Sequence, residues 1–138
     1  MSAAPPAAGN EQIKEVQRWL NSAYGLSVDT DGIYGNETRT ALTKAMQTEL
    51  NTQFGADLAV DGIYGPLTDA AVCNVSSGAQ GNYTKTLQGF LICNGYDTDG
   101  FDGIFGDATN AAVREYQSRQ GLAVDGSAGK QTLGTLCG

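Results

Sequence analysis

One short phrase is written three times in this chain: Asp31-Gly32-Ile33-Tyr34-Gly35, Asp61-Gly62-Ile63-Tyr64-Gly65 and Asp102-Gly103-Ile104-Phe105-Gly106. A fourth, degraded copy is Asp125-Gly126-Ser127-Ala128-Gly129. Each copy precedes a stretch with helical periodicity, and a turn that recurs ahead of a helix imposes a repeat architecture. A larger period overlies the small one. Val16-Gln17-Arg18-Trp19-Leu20 aligns with Leu87-Gln88-Gly89-Phe90-Leu91, and in the same register Asp31 falls on Asp102, Thr38 on Thr109 and Ala41 on Ala112. The first half carries extra residues in Met46 to Phe54. It regains register at Val60-Asp61-Gly62, opposite Val124-Asp125-Gly126, so that Cys73 stands opposite Cys137.

The spacing of apolar residues predicts helices. Ile13, Val16 and Leu20 share one face, and Ala41, Leu42, Ala45, Met46 and Leu50 give the stripe of a buried helix. Leu67, Ala70 and Ala71 continue in a short third helix; Leu87, Phe90 and Leu91, then Ala112, Val113 and Tyr116, then Leu133 and Leu136 repeat the scheme. Nothing alternates with period two. The expected fold is therefore all-α: two tandem three-helix bundles joined by a short linker, the first over residues 11–77 and the second over 78–138. Residues 1–10, rich in Ala and Pro without an apolar run, read as a linker or leader and not as a signal peptide.

The turn chemistry explains the phrase. Asp31, Asp61, Asp102 and Asp125 can each accept backbone N–H groups, and Gly32, Gly62, Gly103 and Gly126 after them permit positive φ. The Ile and the aromatic are expected to pin the turn to the helices, with Trp19, Ile33, Phe90 and Phe105 buried. The closing Gly starts the next helix, with Asn36 and Asp107 suited to the N-cap and Pro66 to the first helical position. Thr38, Thr68 and Thr109 follow at a fixed offset.

The net charge of −7 opposes a nucleic-acid footprint or adhesion to an anionic membrane, and no segment is long enough to span a bilayer. The chain has no His, which removes Ser-His and Cys-His nucleophile pairs and most zinc hydrolase sites. A carboxylate pair is the remaining enzymatic route. Its candidates, Glu11, Glu15, Glu37, Glu49 and Glu115, fall on predicted helix faces where a solvated Glu is ordinary. Asp29-Thr30-Asp31-Gly32 and Asp97-Thr98-Asp99-Gly100 resemble part of a calcium loop, but Thr38 stands where the closing bidentate carboxylate is needed. No catalytic residue, metal ligand or cofactor is expected. Among the three cysteines, Cys93 and Cys137 end the first and third helices of the second half and could form a disulfide; equally, all three could be small buried thiols.

Val60-Asp61-Gly62-Ile63-Tyr64-Gly65-Pro66-Leu67-Thr68-Asp69-Ala70-Ala71-Val72 resembles the hallmark of peptidoglycan-binding domains of the three-helix type. So does Asp102-Gly103-Ile104-Phe105-Gly106 with the helix that follows it to Gln117, running on into Gly121-Leu122-Ala123-Val124-Asp125-Gly126. A Gly-rich entry before a Leu-Gln-x-x-Leu helix is matched by Gly78 to Leu91. The resemblance covers Ile13 to Leu136 as two copies. It departs from the pattern in a longer middle helix in the first half and in the lost aromatic of the last turn.

The resemblance implies an accessory module, of the kind found in endolysins and autolysins, that anchors a cell-wall hydrolase to bacterial peptidoglycan. The ligand would be glycan strand or stem peptide, and a catalytic hydrolase domain would belong to the same natural polypeptide. The setting would be secreted or wall-associated, or phage-encoded and acting on the wall. The alternative is a structural or protein-interaction module that keeps the fold without wall binding. Exposed aromatics that can stack on sugars, and polar side chains at helix starts, supply the ligand-binding candidates: Tyr24, Asn36 and Arg39 in half one, and Tyr96, Asn110 and Arg114 in half two.

Overall fold

A computed structural model describes residues 10–137. The leader expected over 1–10 lies outside these residues except for Asn10, whose side-chain oxygen accepts the amide of Ile13 at 3.1 Å and caps the first helix. Six helices follow: α1 (Glu11–Tyr24), α2 (Asn36–Phe54), α3 (Pro66–Ala71), α4 (Asn82–Cys93), α5 (Asp107–Arg119) and α6 (Lys130–Cys137). Among the described residues β-structure is limited to two isolated antiparallel bridges, Val75 with Ala128 and Gln80 with Ile104. The fold is all-α, with two helical units in tandem. α2, with 19 residues, is longer than its counterpart α5, with 13, as the extra residues of the first half require.

The turns are held by a glutamine. Gln17 on α1 is fully buried, and its Oε1 accepts the amide of Gly32 at 2.9 Å. Its Nε2 lies 3.2 Å from Asp31 Oδ1, 3.1 Å from the Ile33 carbonyl and 3.0 Å from Thr38 Oγ1, two protons being shared among three acceptors. Asp31 Oδ1 also accepts the Ile33 amide at 3.0 Å. Gln47 makes the same set with Gly62, Asp61, Ile63 and Thr68, and Gln88 with Gly103, Asp102, Ile104 and Thr109. Gln117 repeats it with Gly126, Asp125, Ser127 and Thr132, although only 8 residues separate it from its Asp where the others have 14. The degraded phrase therefore builds an intact clasp. The glycines sit at φ 76, 76, 76 and 74, the left-handed region that L side chains avoid. The unit of repetition is the clasp, which closes four of the five joints between successive described helices, all but the one from α3 to α4, and α2 and α5 each receive one clasp and supply the next.

The pins are the aromatics and not the isoleucines. Phe105 is buried and Tyr34 and Tyr64 are half-buried, whereas Ile33, Ile63 and Ile104 are 44%, 67% and 48% exposed. The reason is local: both the amide and the carbonyl of each Ile are bonded inward to Asp and Gln, which leaves the side chain pointing out. Trp19, expected in the core, is half-buried; its ring meets Tyr24 and Phe101 edge-on, with Lys85 over it. Where the fourth turn lacks an aromatic, buried Ala128 is held by paired backbone bonds to Val75, at 2.8 and 3.1 Å. The N-caps are the glycines Gly35, Gly65 and Gly106, so Asn36 and Asp107 occupy the first helical position as Pro66 does.

One continuous apolar core serves both halves. α4 packs on α1 and α2 as well as on α5 and α6. Gly89 makes the approach possible: a Cβ there would lie 2.9 Å from Leu42 and 3.2 Å from Val16. The linker is part of this structure. Gly78 N–H bonds to Phe105 O, Phe105 N–H to Ala79 O and Gly81 N–H to Gly103 O, strapping the third turn while Val75 straps the fourth. The three cysteines are free in this structure, Cys93 and Cys137 buried; burial pushes both of these thiols up to about 12.

These contacts set the relative cost of two substitutions in one turn. Gln47→Ala strands the Gly62 amide and the Ile63 carbonyl and should cost about 2–4 kcal/mol. Ile63→Ala, at an exposed position, should cost no more than about 0.5 kcal/mol. Urea denaturation of both variants checks this; equal losses would show that the isoleucine is a pin after all.

Candidate functional site

Every clasp places a cation three residues before its glutamine: Lys14, Lys44, Lys85 and Arg114. On a helix this is one turn back on the same face, and each cation acts on the carboxylate of its own clasp. Asp31, Asp61, Asp102 and Asp125 are all held below the ordinary carboxylate range. The main cause is the backbone N–H two residues on, joined by the glutamine amide and, more weakly, by the cation. The carboxylates are thus committed to the turns. Among the described residues no group of His, Cys, Asp or Glu gathers in a way that could hold a metal ion.

Between the turns lie open grooves. One, of about 390 Å³, runs between the loop after α1 and the start of α2, with Leu26, Val28, Asn36, Glu37 and Lys44 on its walls. A second, of about 180 Å³, lies along the second clasp and is walled by Leu58, Ile63, Pro66 and Leu67. A third, of about 290 Å³, lies along the fourth clasp and is walled by Asn74, Ser127, Lys130 and Gln131. The second clasp also exposes Val60, Ile63 and Leu67, at 45%, 67% and 76%.

The structure does not bring the six predicted ligand-binding residues together. Tyr24 is half-buried and donates its hydroxyl proton to Glu49 Oε2 at 2.7 Å; burial first, then this carboxylate, raise its pKa well above the tyrosine range. Tyr96 is buried, edge-on to Tyr116 with ring centroids 5.6 Å apart, and offers no open ring for stacking. Asn36 accepts from Arg39 at 2.6 Å and lines the first groove. Asn110 packs over Gly126, and Arg114 Nη2 donates to the Asp125 carbonyl at 3.4 Å, which makes both part of the fourth clasp. Glu49, placed by its spacing on a solvated face, is 7% exposed and bonded to Tyr24 and Gln53.

The groove residues Ile63, Leu67, Asn74, Lys130 and Gln131 escape a reading of the sequence alone. The usable signal was the register itself: a side chain that the clasp leaves pointing out at one turn points out at every turn.

Comparison with known proteins follows the same register. The family model described as "Putative peptidoglycan binding domain" matches residues 9–51 and 80–136, one segment in each half. The chain belongs to that family. It is 32% identical over 119 residues to the uncharacterized protein FadG of Bacillus subtilis, which covers 83% of this chain and 21% of the relative. It is 43% identical over 58 residues to a spore cortex-lytic enzyme of Bacillus cereus, covering 42% of this chain and 22% of that enzyme. A zinc D-Ala-D-Ala carboxypeptidase of Streptomyces albus G is 41% identical over 66 residues, or 45% of this chain and 25% of the enzyme. The chain spans 21% and 22% of the length of the first two of these relatives. No solved structure gives a significant match.

The clasp carboxylates generate a pH dependence. Their folded pKa values lie below the unfolded value of about 3.9, so folding favours the ionised form. The stability they contribute is complete above that unfolded pKa and is lost as pH falls through the folded values. The urea midpoint should therefore hold from about pH 7 to about pH 5 and drop below about pH 4. Asp61→Asn should make the drop shallower; a midpoint that stays flat in acid, or an unchanged slope in the variant, would count against the clasp carboxylates.

Proposed function

We propose that this chain is a non-catalytic module that binds bacterial peptidoglycan and anchors a hydrolase domain of the same natural polypeptide to the wall. The observation that carries the reading is the family match in both halves, set on a fold in which the first, second and fourth turns each lie beside a groove. Relatives named as a spore cortex-lytic enzyme and a zinc D-Ala-D-Ala carboxypeptidase share only a part of their length with it, as an accessory segment beside a catalytic one would. The absence of His supports a binding role, as does the commitment of the clasp Asp residues to turn closure. Glu49, the one buried Glu, is engaged by the Tyr24 hydroxyl and the Gln53 amide in a structural role. No helix among the described residues is long and apolar enough to cross a membrane, and a wall-associated or secreted setting suits the ligand.

The test is co-sedimentation with purified insoluble peptidoglycan, together with an assay for released muropeptides. The expected result is depletion of the chain from the supernatant with no soluble product. Failure to sediment with walls of several chemotypes would favour a protein-interaction module; release of muropeptides would establish a catalytic site.

A further inference from the structure

The grooves at the second and fourth clasps are the same groove built twice. Ala59, Asp61, Gly65 and Thr68 in one stand at the positions of Ala123, Asp125, Gly129 and Thr132 in the other. The frame is shared because the Gln, Asp and Thr bonds are shared. What differs are three side chains turned toward the opening: Ile63, Pro66 and Leu67 in the first half become Ser127, Lys130 and Gln131 in the second.

A fourth difference comes from the linker. Beside Gly65 an added Cβ would meet nothing within 4 Å, whereas beside Gly129 it would strike the amide of Asn74. Asn74 thus closes one side of the second-half groove, and a glycine makes room for it. The result is an apolar groove in half one and, in half two, a groove presenting an ammonium, two primary amides and a hydroxyl.

Lys130 forms no ion pair among the described residues. Lys14 and Arg18 pair with Glu11, Arg119 with Glu115, and Arg114 stands against the Asp125 carboxylate of this same groove; Arg39, Lys44 and Lys85 also lack an ion pair, but Arg39 donates to Asn36, Lys44 acts on the Asp61 carboxylate and Lys85 lies over Trp19 and Phe101. In a chain of net charge −7, an unpaired cation beside amide donors in a concave site is complementary to an anion with planar acceptors.

We propose that the fourth-clasp groove is a carboxylate-reading subsite that takes the peptide part of the wall polymer, and that the second-clasp groove, lacking those donors, does not. The proposal deepens the wall-binding function and rests on it. Half two, whose turn sequence is the more degraded, then carries the anion specificity: it has polar side chains where half one has isoleucine and leucine, on an equally whole clasp.

The test uses the full chain and a synthetic stem peptide in two forms, with free carboxylates and with the carboxylates amidated. Both are titrated by calorimetry and used to displace the chain from insoluble peptidoglycan. The free acid should bind about fivefold or more tightly than the amide. Lys130→Glu should abolish that preference, and Leu67→Ser in the other groove should leave it intact. Circular dichroism melting confirms that both variants are folded. Equal binding of acid and amide, or a preference that survives Lys130→Glu, would overturn the subsite. If the chain sediments with walls but neither peptide binds, the subsite is wrong and wall binding stands. If the chain does not sediment at all, the wall-binding reading falls with it.

Discussion

Every helix–helix joint among the described residues except the one from α3 to α4 closes on a glutamine whose amide has been taken out of water. A primary amide offers two donors and an acceptor, and leaving any of them unpaired in the interior costs about 1–3 kcal/mol. The side chain therefore fixes the geometry of everything around it. A glycine amide must come to Oε1, which sets the left-handed turn. An Asp, a carbonyl and a Thr must come to Nε2, which brings the first turn of the next helix against the previous one. Leucine of similar size would orphan the glycine amide, and glutamate would bury a charge beside the Asp carboxylate. The polar centre, and not the apolar stripe, selects one way of joining two helices, and the apolar core fills the space that the joints define.

Burial of this kind explains what a reader of the sequence can and cannot see. The Asp-Gly phrase is legible because it is contiguous and its Gly is forced by φ. Helices are legible because Val16, Leu20, Ala45 and Met46 repeat at helical spacing. Gln17, Gln47, Gln88 and Gln117 are not legible as the centre, because a polar residue inside an apolar stripe looks like a tolerated exception. Their partners stand 14 or 8 residues away, across a loop of variable length. The isoleucines mislead for the opposite reason. Hydrophobicity predicts burial, yet the backbone bonds on both sides of Ile33 and Ile63 turn the side chain outward. Tyr96 and Glu49 depart from expectation because Tyr96 packs on Tyr116 of α5 and Glu49 is held by Tyr24 of α1, contacts between helices that no local pattern encodes.

The two halves are copies in sequence, but they are not two independent bodies in the structure. α4 lies against α1 and α2 with Gly89 as the point of closest approach, and the segment from Val75 to Gly81 is bonded to the third and fourth turns. The bridge at Val75 does for the fourth turn what an aromatic does for the others. A pair of flexibly tethered modules gains from a polymer through effective concentration, with an entropic cost set by the tether. A pair fused through one core offers its grooves at a fixed separation instead, and only ligand segments that match that spacing engage both.

Fixed spacing matters because the clasp separates scaffold from surface. The same five bonds hold each turn whatever side chain follows the Asp-Gly, as the fourth copy demonstrates with Ser127 in place of isoleucine and Ala128 in place of the aromatic. Positions 63, 67, 127, 130 and 131 are therefore free to change without disturbing the fold, while the main chain beneath them stays pre-organised and little ordering entropy is lost on binding. A repeat of this kind can diversify groove by groove. The apolar lining of the second turn and the amide and ammonium lining of the fourth are two outcomes on one frame, so the copies need not be redundant: the same bonds that make them superimposable allow them to recognise different parts of one ligand.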